Sequence, residues 1–139
     1  KLKRCLAHSR MLSSDVNAAF DPLYSDVFKN NSSSFLGSGV VFNKFTGSRG
    51  KSGSNDANAE YLAVLRNIMD NHNVHFQMSE LGKVDAGGGG TIAYIMSLYG
   101  MEVIDCGVAV LNMHAPWEVT SKADIYETYK CYKAFLKNA

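Results

Sequence analysis

The sequence has little that would mark a nucleic-acid-binding or membrane-spanning protein. Its 139 residues carry 14 Lys and Arg against 13 Asp and Glu, for a net charge of +1. That balance gives no clustered basic surplus of the kind that neutralises phosphates. No stretch reaches the ~18 consecutive apolar residues of a membrane span, and no signal-peptide apolar segment follows the basic start. We therefore expect no nucleic-acid partner and no membrane insertion.

Cysteine is also scarce. The three cysteines, Cys5, Cys106 and Cys131, are widely spaced and form no Cys-x-x-Cys motif. They match neither a disulfide framework nor a zinc knuckle, which predicts reduced thiols in a cytoplasmic protein. The chain begins with Lys1 and not with methionine, so we expect it to start inside a longer protein or to be processed.

Apolar patterning predicts strands and helices in alternation. A strand over residues 10–19 should end in the polar residues Ser13, Ser14 and Asp15, and further strands are expected at 35–45, 74–78 and 101–106. Helices are expected at 57–71, at 92–98 and from about 121 to the end, with loops at 30–34 and 46–58. This order predicts an α/β fold in which helices flank a sheet, all within one domain or part of one.

Two of these helices carry further expectations. Residues 92–98 are apolar on almost every side, which predicts a helix buried on most sides. In the last helix, Ile125, Tyr129, Tyr132 and Leu136 are expected to face inward. Ser121 and Asp124 resemble a capping box at its start, with Asp replacing the usual Glu.

Four consecutive glycines, 87–90, form the most unusual segment. They miss the dinucleotide-binding spacing, and Gly50-Lys51-Ser52 is no P-loop because Phe45 stands where its first glycine should be. Two interpretations remain open. The run is either a loose helix entry that needs unusual φ angles, or a strip of bare N–H groups that receives anionic or carbonyl oxygens. Asp85, just before it, would support the loop by accepting backbone N–H bonds.

Asp15 and His114 both carry side chains that could take part in chemistry, but neither is assigned to a site by its local context. Asp15 follows two serines near a strand end, where an aspartate is usually a surface or turn residue. His114 lies between Met113 and Ala115, where a lone histidine is usually packed. Beyond the ends of the strands, however, Asp15, the glycine run and His114 would all meet at one edge of the sheet.

Taken together, four segments resemble the M18 family of zinc aminopeptidases, in its bacterial branch of aspartyl or vacuolar-type enzymes. The resemblance runs over nearly the whole chain, in the same order and spacing. Its segments are Met11–Ala19, Asn43–Asn55, Lys83–Ile92 and Val110–Glu118. It implies the C-terminal part of a single catalytic domain, residues 1–139, with a helix-flanked mixed sheet of the zinc-exopeptidase (phosphorylase/hydrolase-like) type.

The resemblance also implies roles for particular residues. Asp15 and His114 match two of the five protein ligands that hold two zinc ions, and the segment from Asp85 to Thr91 matches the loop that approaches the substrate backbone. We expect Gly88, Gly89, Gly90, Thr91 and Met113 to contact substrate, with Asp85 in support. Peptides are the implied substrates, and the implied full-length protein is a homo-oligomer.

The departure from the family pattern is that this chain lacks the first histidine, the bridging aspartate and the Glu-Glu pair. We expect those ligands and the general-base glutamate upstream of Lys1, so that no catalytic residue lies in this chain. The isolated chain should be inactive and hold metal weakly. Two alternatives remain: a non-catalytic peptide- or partner-binding module of the same fold, or a related metallopeptidase or deacylase.

Overall fold

Two β-sheets of unequal size organise the chain in the computed structural model, which describes residues 1–47, 53–83 and 88–138. The strands are β1 Arg10–Ser13, β2 Asn17–Ala18, β3 Val40–Thr46, β4 Asn55–Asp56, β5 Phe76–Glu80, β6 Glu102–Gly107, β7 Ala109–Leu111 and β8 Val119–Thr120. The helices are α1 Leu2–Leu6, α2 Ala59–Asn71, α3 Ala93–Ser97 and α4 Lys122–Asn138, with 3-10 turns at Pro22–Val27 and Asn30–Ser32.

The larger sheet is mixed, as the resemblance implied. Its path runs β1-β6-β3-β4, and β5 also pairs with β3. The β1–β6 and β3–β5 pairs are parallel, whereas β3 is antiparallel to both β6 and β4. The smaller sheet runs β2-β7-β8, with a parallel and an antiparallel pair. The predicted α/β class with helices flanking a mixed sheet is therefore confirmed.

One face of the larger sheet carries the main apolar core. Phe42 on β3 and Ile104 on β6 are fully buried, and α2 and α4 cover them with Leu65 and Phe135 among others. The α2 helix forms because its apolar residues recur at helical spacing and because Asn58 caps it by accepting the Glu60 N–H at 2.9 Å. Its position matches the predicted helix within two residues at its start.

The opposite face carries a row of polar side chains across four strands, which we call the polar row. Ser13, Asp105, Asn43 and Ser79 are consecutive partners across β1, β6, β3 and β5. Each is at most 3% exposed. Because side chains alternate along a strand, this row lies on the face that α2 and α4 do not cover. The smaller sheet is joined to it there, since the Asn17 amide donates to the Asn43 side-chain oxygen.

Helix α3 corrects the expectation of a buried segment at 92–98. It has only five residues, of which Ala93 alone is buried. Ile92 is 59% exposed and Leu98 is 78% exposed. A helix of one and a half turns brings only one residue against the sheet. The apolar composition of this segment is therefore a poor indicator of its burial.

The predicted inner face of α4 is wrong at Ile125, Tyr129 and Leu136, whereas Tyr132 packs against the core as expected. Ile125, Tyr129 and Leu136 are all exposed, and Tyr132 is half-buried. The buried residues are Asp124, Cys131, Ala134 and Phe135. Cys131, Ala134 and Phe135 belong to the main core, so the buried face combines small and large side chains.

Asp124 explains why that face points inward. Its carboxylate accepts the backbone N–H groups of Gly37 and Gly39, each at 2.8 Å, from the loop before β3. The predicted capping box is therefore only half formed: the Ser121 hydroxyl accepts the Asp124 N–H at 3.5 Å, while the Asp124 side chain is directed to another element.

The loops and short strands differ in detail from the expectations. The single strand predicted over residues 10–19 is divided in two: β1 ends at Ser13, and a separate strand begins at Asn17 in the other sheet. Ser33 and Ser34, expected in a surface loop, are buried. Within the predicted loop 46–58, residues 55–56 form β4, and residues 48–52, including Gly50-Lys51-Ser52, lie outside the described residues.

Two further features of the structure concern the lengths of the helices and the state of the cysteines. Among the described residues, no helix combines the length and apolar composition needed to cross a bilayer. All three cysteines are free thiols: Cys5 is exposed, and Cys106 and Cys131 are buried with their sulfurs 3.7 Å apart.

Candidate functional site

A pocket of about 360 Å³ collects the candidate residues from three distant parts of the chain. Asp15 follows β1, Gly88 to Thr91 lead into α3, and His114 lies in the turn between β7 and β8. All the described candidates line this one pocket, namely Asp15, Gly88, Gly89, Gly90, Thr91, Met113 and His114. Asp85 and Gly87 lie outside the described residues. The expected convergence beyond the strand ends is therefore present for every candidate that the structure describes.

The segment around Asp15 is held by a hydrogen bond to α4 and by close packing against β6. Ser14 places its hydroxyl 2.8 Å from the Tyr132 hydroxyl of α4, whose pKa burial raises to about 12. Gly107 packs so closely under Asp15 that a Cβ atom there would lie 2.0 Å from the Asp15 carbonyl oxygen. The Asp15 carboxylate accepts the Val16 N–H at 2.9 Å. Its position is set by these neighbours, although the side chain is exposed.

His114 has an unusual backbone conformation. Its φ is +68°, in the left-handed region, and Asn112 in the same turn has a φ of +57°. A non-glycine residue there costs of order 1 kcal/mol, and such residues concentrate at functional sites. The strained turn is held because the His114 N–H donates to Glu118 Oε1 at 2.7 Å. The histidine is exposed on the pocket wall and is not packed in the core.

The glycine run divides into two kinds of position. Gly88 has a φ of +94°, and a Cβ there would lie 2.5 Å from the Gly47 carbonyl oxygen and 2.7 Å from that of Leu81. At Gly89 and Gly90, by contrast, an added Cβ would meet its nearest neighbour at 3.6 Å and 3.8 Å. The interpretation as a loop with unusual φ angles thus accounts for Gly88 but not for Gly89 or Gly90, which line the pocket and where an added Cβ would make only ordinary van der Waals contacts.

The rest of the wall is apolar. Val27 and Phe28, at the end of a 3-10 turn, lie with Leu81 and the half-buried Met113 around the pocket. The Lys83 N–H donates to the Val27 carbonyl at 2.9 Å and ties that turn to the segment after β5. Exposed backbone beside an apolar wall suits a ligand with both a peptide backbone and a side chain.

Two of the side chains have the chemistry of zinc ligands. A carboxylate and an imidazole are both common in zinc sites, which hold at least three protein ligands. Over the described ranges, no group of three or more His, Cys, Asp or Glu side chains could hold a metal ion. Asp15 and His114 have the side-chain types of zinc ligands, and a complete zinc site that included them would need further ligands from outside the described residues.

Sequence reasoning missed three residues that shape the site. Gly107 touches the Asp15 backbone, Glu118 holds the His114 turn, and Asp105 accepts a hydrogen bond from Thr91 at 2.7 Å. Glu118 could have been suspected, since it follows His114 by four residues in the same motif. The contacts of Gly107 and Asp105 depend on strand pairing and leave no local sequence signal.

Known proteins resemble this chain over most of its length. A probable M18 family aminopeptidase 1 from Clostridium acetobutylicum is 66% identical over 138 residues, and one from Thermotoga maritima is 45% identical over 136. The crystal structure of aminopeptidase I from C. acetobutylicum superposes with a TM-score of 0.91, covering 98% of this chain and 30% of that one. The M18 aminopeptidase structure from T. maritima gives 0.92, covering 99% and 31%.

The chain thus spans about 30% of the length of these relatives. A family model described as aminopeptidase I zinc metalloprotease (M18) matches residues 1–136. A match over almost the entire chain shows the family without reference to any one relative. The chain belongs to the M18 family of zinc metalloprotease aminopeptidases.

Proposed function

We propose that the full-length protein containing this chain is a zinc-dependent aminopeptidase that releases N-terminal amino acids from peptides. This chain would supply one part of the active site. The observation that carries the proposal is the single pocket lined by Asp15, His114 and residues 88–91. Membership of a zinc aminopeptidase family supports it independently.

Within that site, Asp15 and His114 would hold zinc, with two ions in a complete centre. When bound, zinc lowers the pKa of a coordinated water and polarises the scissile carbonyl. The other ligands and the general-base glutamate would come from outside this chain. Because Glu118 and Gly107 fix the backbone around the two ligands, little reorganisation would be needed when metal binds.

The substrate would lie along Gly88–Gly90, where the glycine run lines the pocket. The absence of side chains at Gly89 and Gly90 would let a peptide backbone approach closely. Thr91 and Met113, which line the same pocket, would contact it, and Val27 and Phe28 would receive an apolar part. Asp85 would support the loop that carries the glycines.

The metal-ligand proposal is tested in the full-length protein with Asp15→Asn and His114→Asn. Asparagine keeps the volume of Asp15 and tolerates the left-handed φ of His114, yet its amide is a poor zinc ligand. We expect each change to lower the bound zinc measured by mass spectrometry and to lower kcat on aminoacyl p-nitroanilides by at least about 100-fold. His8→Asn, exposed and outside the pocket, is the matched control.

A His114→Asn protein that kept both its zinc and its rate would contradict the assignment. A panel with N-acylated substrates distinguishes the alternatives. Cleavage of N-acyl amino acids alone would indicate a related deacylase, and peptide binding without hydrolysis would indicate a non-catalytic module. The isolated chain, with two of the ligands, should bind zinc weakly in calorimetry and should not hydrolyse the anilides.

Assembly and location are part of the same proposal. We propose a homo-oligomer in the cytoplasm. A related structure, 24% identical to this chain, is described as the yeast mApe1 dodecamer, although at that identity the likeness shows the fold alone. Large exposed side chains such as Leu23 (86%) and Trp117 (84%) are surfaces that other subunits or the rest of the protein would cover.

A further inference from the structure

Asp105 lies in the middle of the larger sheet but is bonded to the wall of the pocket. It is 1% exposed, within the polar row on β6. Its Oδ2 accepts the Thr91 hydroxyl at 2.7 Å. Thr91 directly follows the glycine run, and it also lines the pocket. One hydrogen bond therefore joins the rigid centre of the fold to the segment that we place against substrate.

The geometry at Thr91 fixes the direction of this segment. Its hydroxyl donates to Asp105 and also accepts the Ala93 N–H at 3.3 Å, at the first residue of α3. A hydroxyl has only one proton to donate, so this pair of bonds sets the Thr91 rotamer. The two bonds hold the end of the glycine run between a strand and a helix.

Among the residues that the structure describes, few other contacts would restrain this segment in the same way. Gly89 and Gly90 have no side chains, and an added Cβ would touch only Leu81 Cδ2 at 3.6 Å and Gly53 O at 3.8 Å. Gly88 is fixed at the other end by its close contacts with Gly47 and Leu81. The run is therefore anchored at Gly88 by packing and at Thr91 by Asp105.

A carboxylate is an expensive choice at this position for stability alone. Burial raises the pKa of Asp105, the nearby Asp15 carboxylate raises it further, and the hydrogen bond from the Thr91 hydroxyl offsets only part of that effect. Its Oδ1, and the hydroxyls of Ser13 and Thr46, have no hydrogen-bond partner among the residues that the structure describes. An apolar residue would suit a buried strand at lower cost, so stability alone does not account for a carboxylate at this position.

We propose that Asp105 is a positioning residue, which acts through Thr91 to hold Gly88–Gly90 in the arrangement that receives the substrate backbone. This inference rests on the proposed function, because only that proposal places Gly88–Gly90 against the substrate. Asp105 touches neither substrate nor metal in this scheme. Its removal should therefore impair substrate binding more than turnover.

Kinetics of the full-length protein test the proposal. Thr91→Val removes the hydroxyl and keeps the shape, and we expect KM for an aminoacyl p-nitroanilide to rise about fivefold with kcat within about twofold. Thr91→Ser, which keeps the donor, should restore most of the affinity. Thr128→Val is the matched control, since its hydroxyl donates to the Asp124 carbonyl at 2.8 Å within α4.

Substitution of the acceptor completes the set. Asp105→Ala should raise KM as Thr91→Val does, and the double variant should be no worse than either alone. Asp105→Asn retains an acceptor oxygen and should recover most of the loss relative to Asp105→Ala. Equal damage from Asn and Ala would mean that the charge, and not the bond to Thr91, is what matters, which would overturn the proposal.

Amide hydrogen exchange of the same proteins gives a readout that does not depend on activity. We expect faster exchange of the Gly89-to-Ala93 amides in Thr91→Val and Asp105→Ala, with β6 unchanged in Thr91→Val. Unchanged exchange at these amides would overturn the proposal whether or not the protein is active. Faster exchange in a protein that cleaves no aminoacyl substrate would support the tether and refute the proposed function instead.

Discussion

Alanine substitutions at two adjacent glycines should separate folding from substrate binding. At Gly88 a new Cβ would lie 2.5 Å from the Gly47 oxygen, about 0.9 Å inside the 3.4 Å of ordinary contact, at a φ of +94°. Overpacking and left-handed strain together cost about 2–4 kcal/mol. Gly88→Ala should therefore lower the free energy of unfolding by that amount and lower activity through loss of fold.

Gly89→Ala should do the reverse. Its Cβ would meet nothing closer than 3.6 Å, and alanine restricts the unfolded chain, so stability should be unchanged or rise by about 0.5 kcal/mol. The methyl group would nevertheless occupy the space in which the substrate backbone is proposed to lie. We expect kcat/KM to fall about tenfold or more, since small misplacements in a site are costly.

The two proteins are compared by thermal unfolding and by steady-state kinetics on a panel of aminoacyl p-nitroanilides, using full-length, zinc-loaded protein. The reasoning is refuted if Gly89→Ala is as active as the parent, because the substrate backbone would then not lie against Gly89. It is also refuted if Gly88→Ala is as stable as the parent, because the close contacts would then have no energetic weight.

Three further predictions concern the framework of the site. Gly107→Ala should push Asp15 outward, since its Cβ would lie 2.0 Å from the Asp15 oxygen, and should weaken zinc binding in calorimetry. Asp124→Ala removes two hydrogen bonds from a buried carboxylate to the backbone N–H groups of Gly37 and Gly39 and should lower the free energy of unfolding by roughly 3–5 kcal/mol in urea titrations. With a thiol reagent, only Cys5 should react in this folded chain, and all three cysteines after denaturation, because the other two are buried.

Local signals explain which elements could be predicted. Helix α2 is predicted well because Tyr61, Leu65 and Ile68 recur at helical spacing over about two turns. The position of helix α4 is predicted correctly, but most of its buried residues are not. Apolar pattern alone favours large apolar side chains as the buried ones. Its true orientation depends on Asp124, whose partner Gly39 lies 85 residues away.

The candidate site followed the same division. Motifs identified Asp15, His114 and the glycine run, and the structure places the described members around one pocket. The motifs gave no sign of Asp105, whose role depends on which strand lies beside Thr91. They also could not separate Gly88 from Gly89, because that difference lies in the carbonyl oxygens of Gly47 and Leu81.

The polar row favours one pairing register of the strands in the larger sheet. Ser13, Asp105, Asn43 and Ser79 meet side by side only when β1, β6, β3 and β5 are paired as observed. Sliding β6 by one residue would turn Asp105 towards the apolar core and leave a charged group among apolar side chains. Mispaired sheets are thereby penalised during folding. The same side chain that is proposed to steady the pocket would thus help to ensure that the strands beneath it are assembled in only one way.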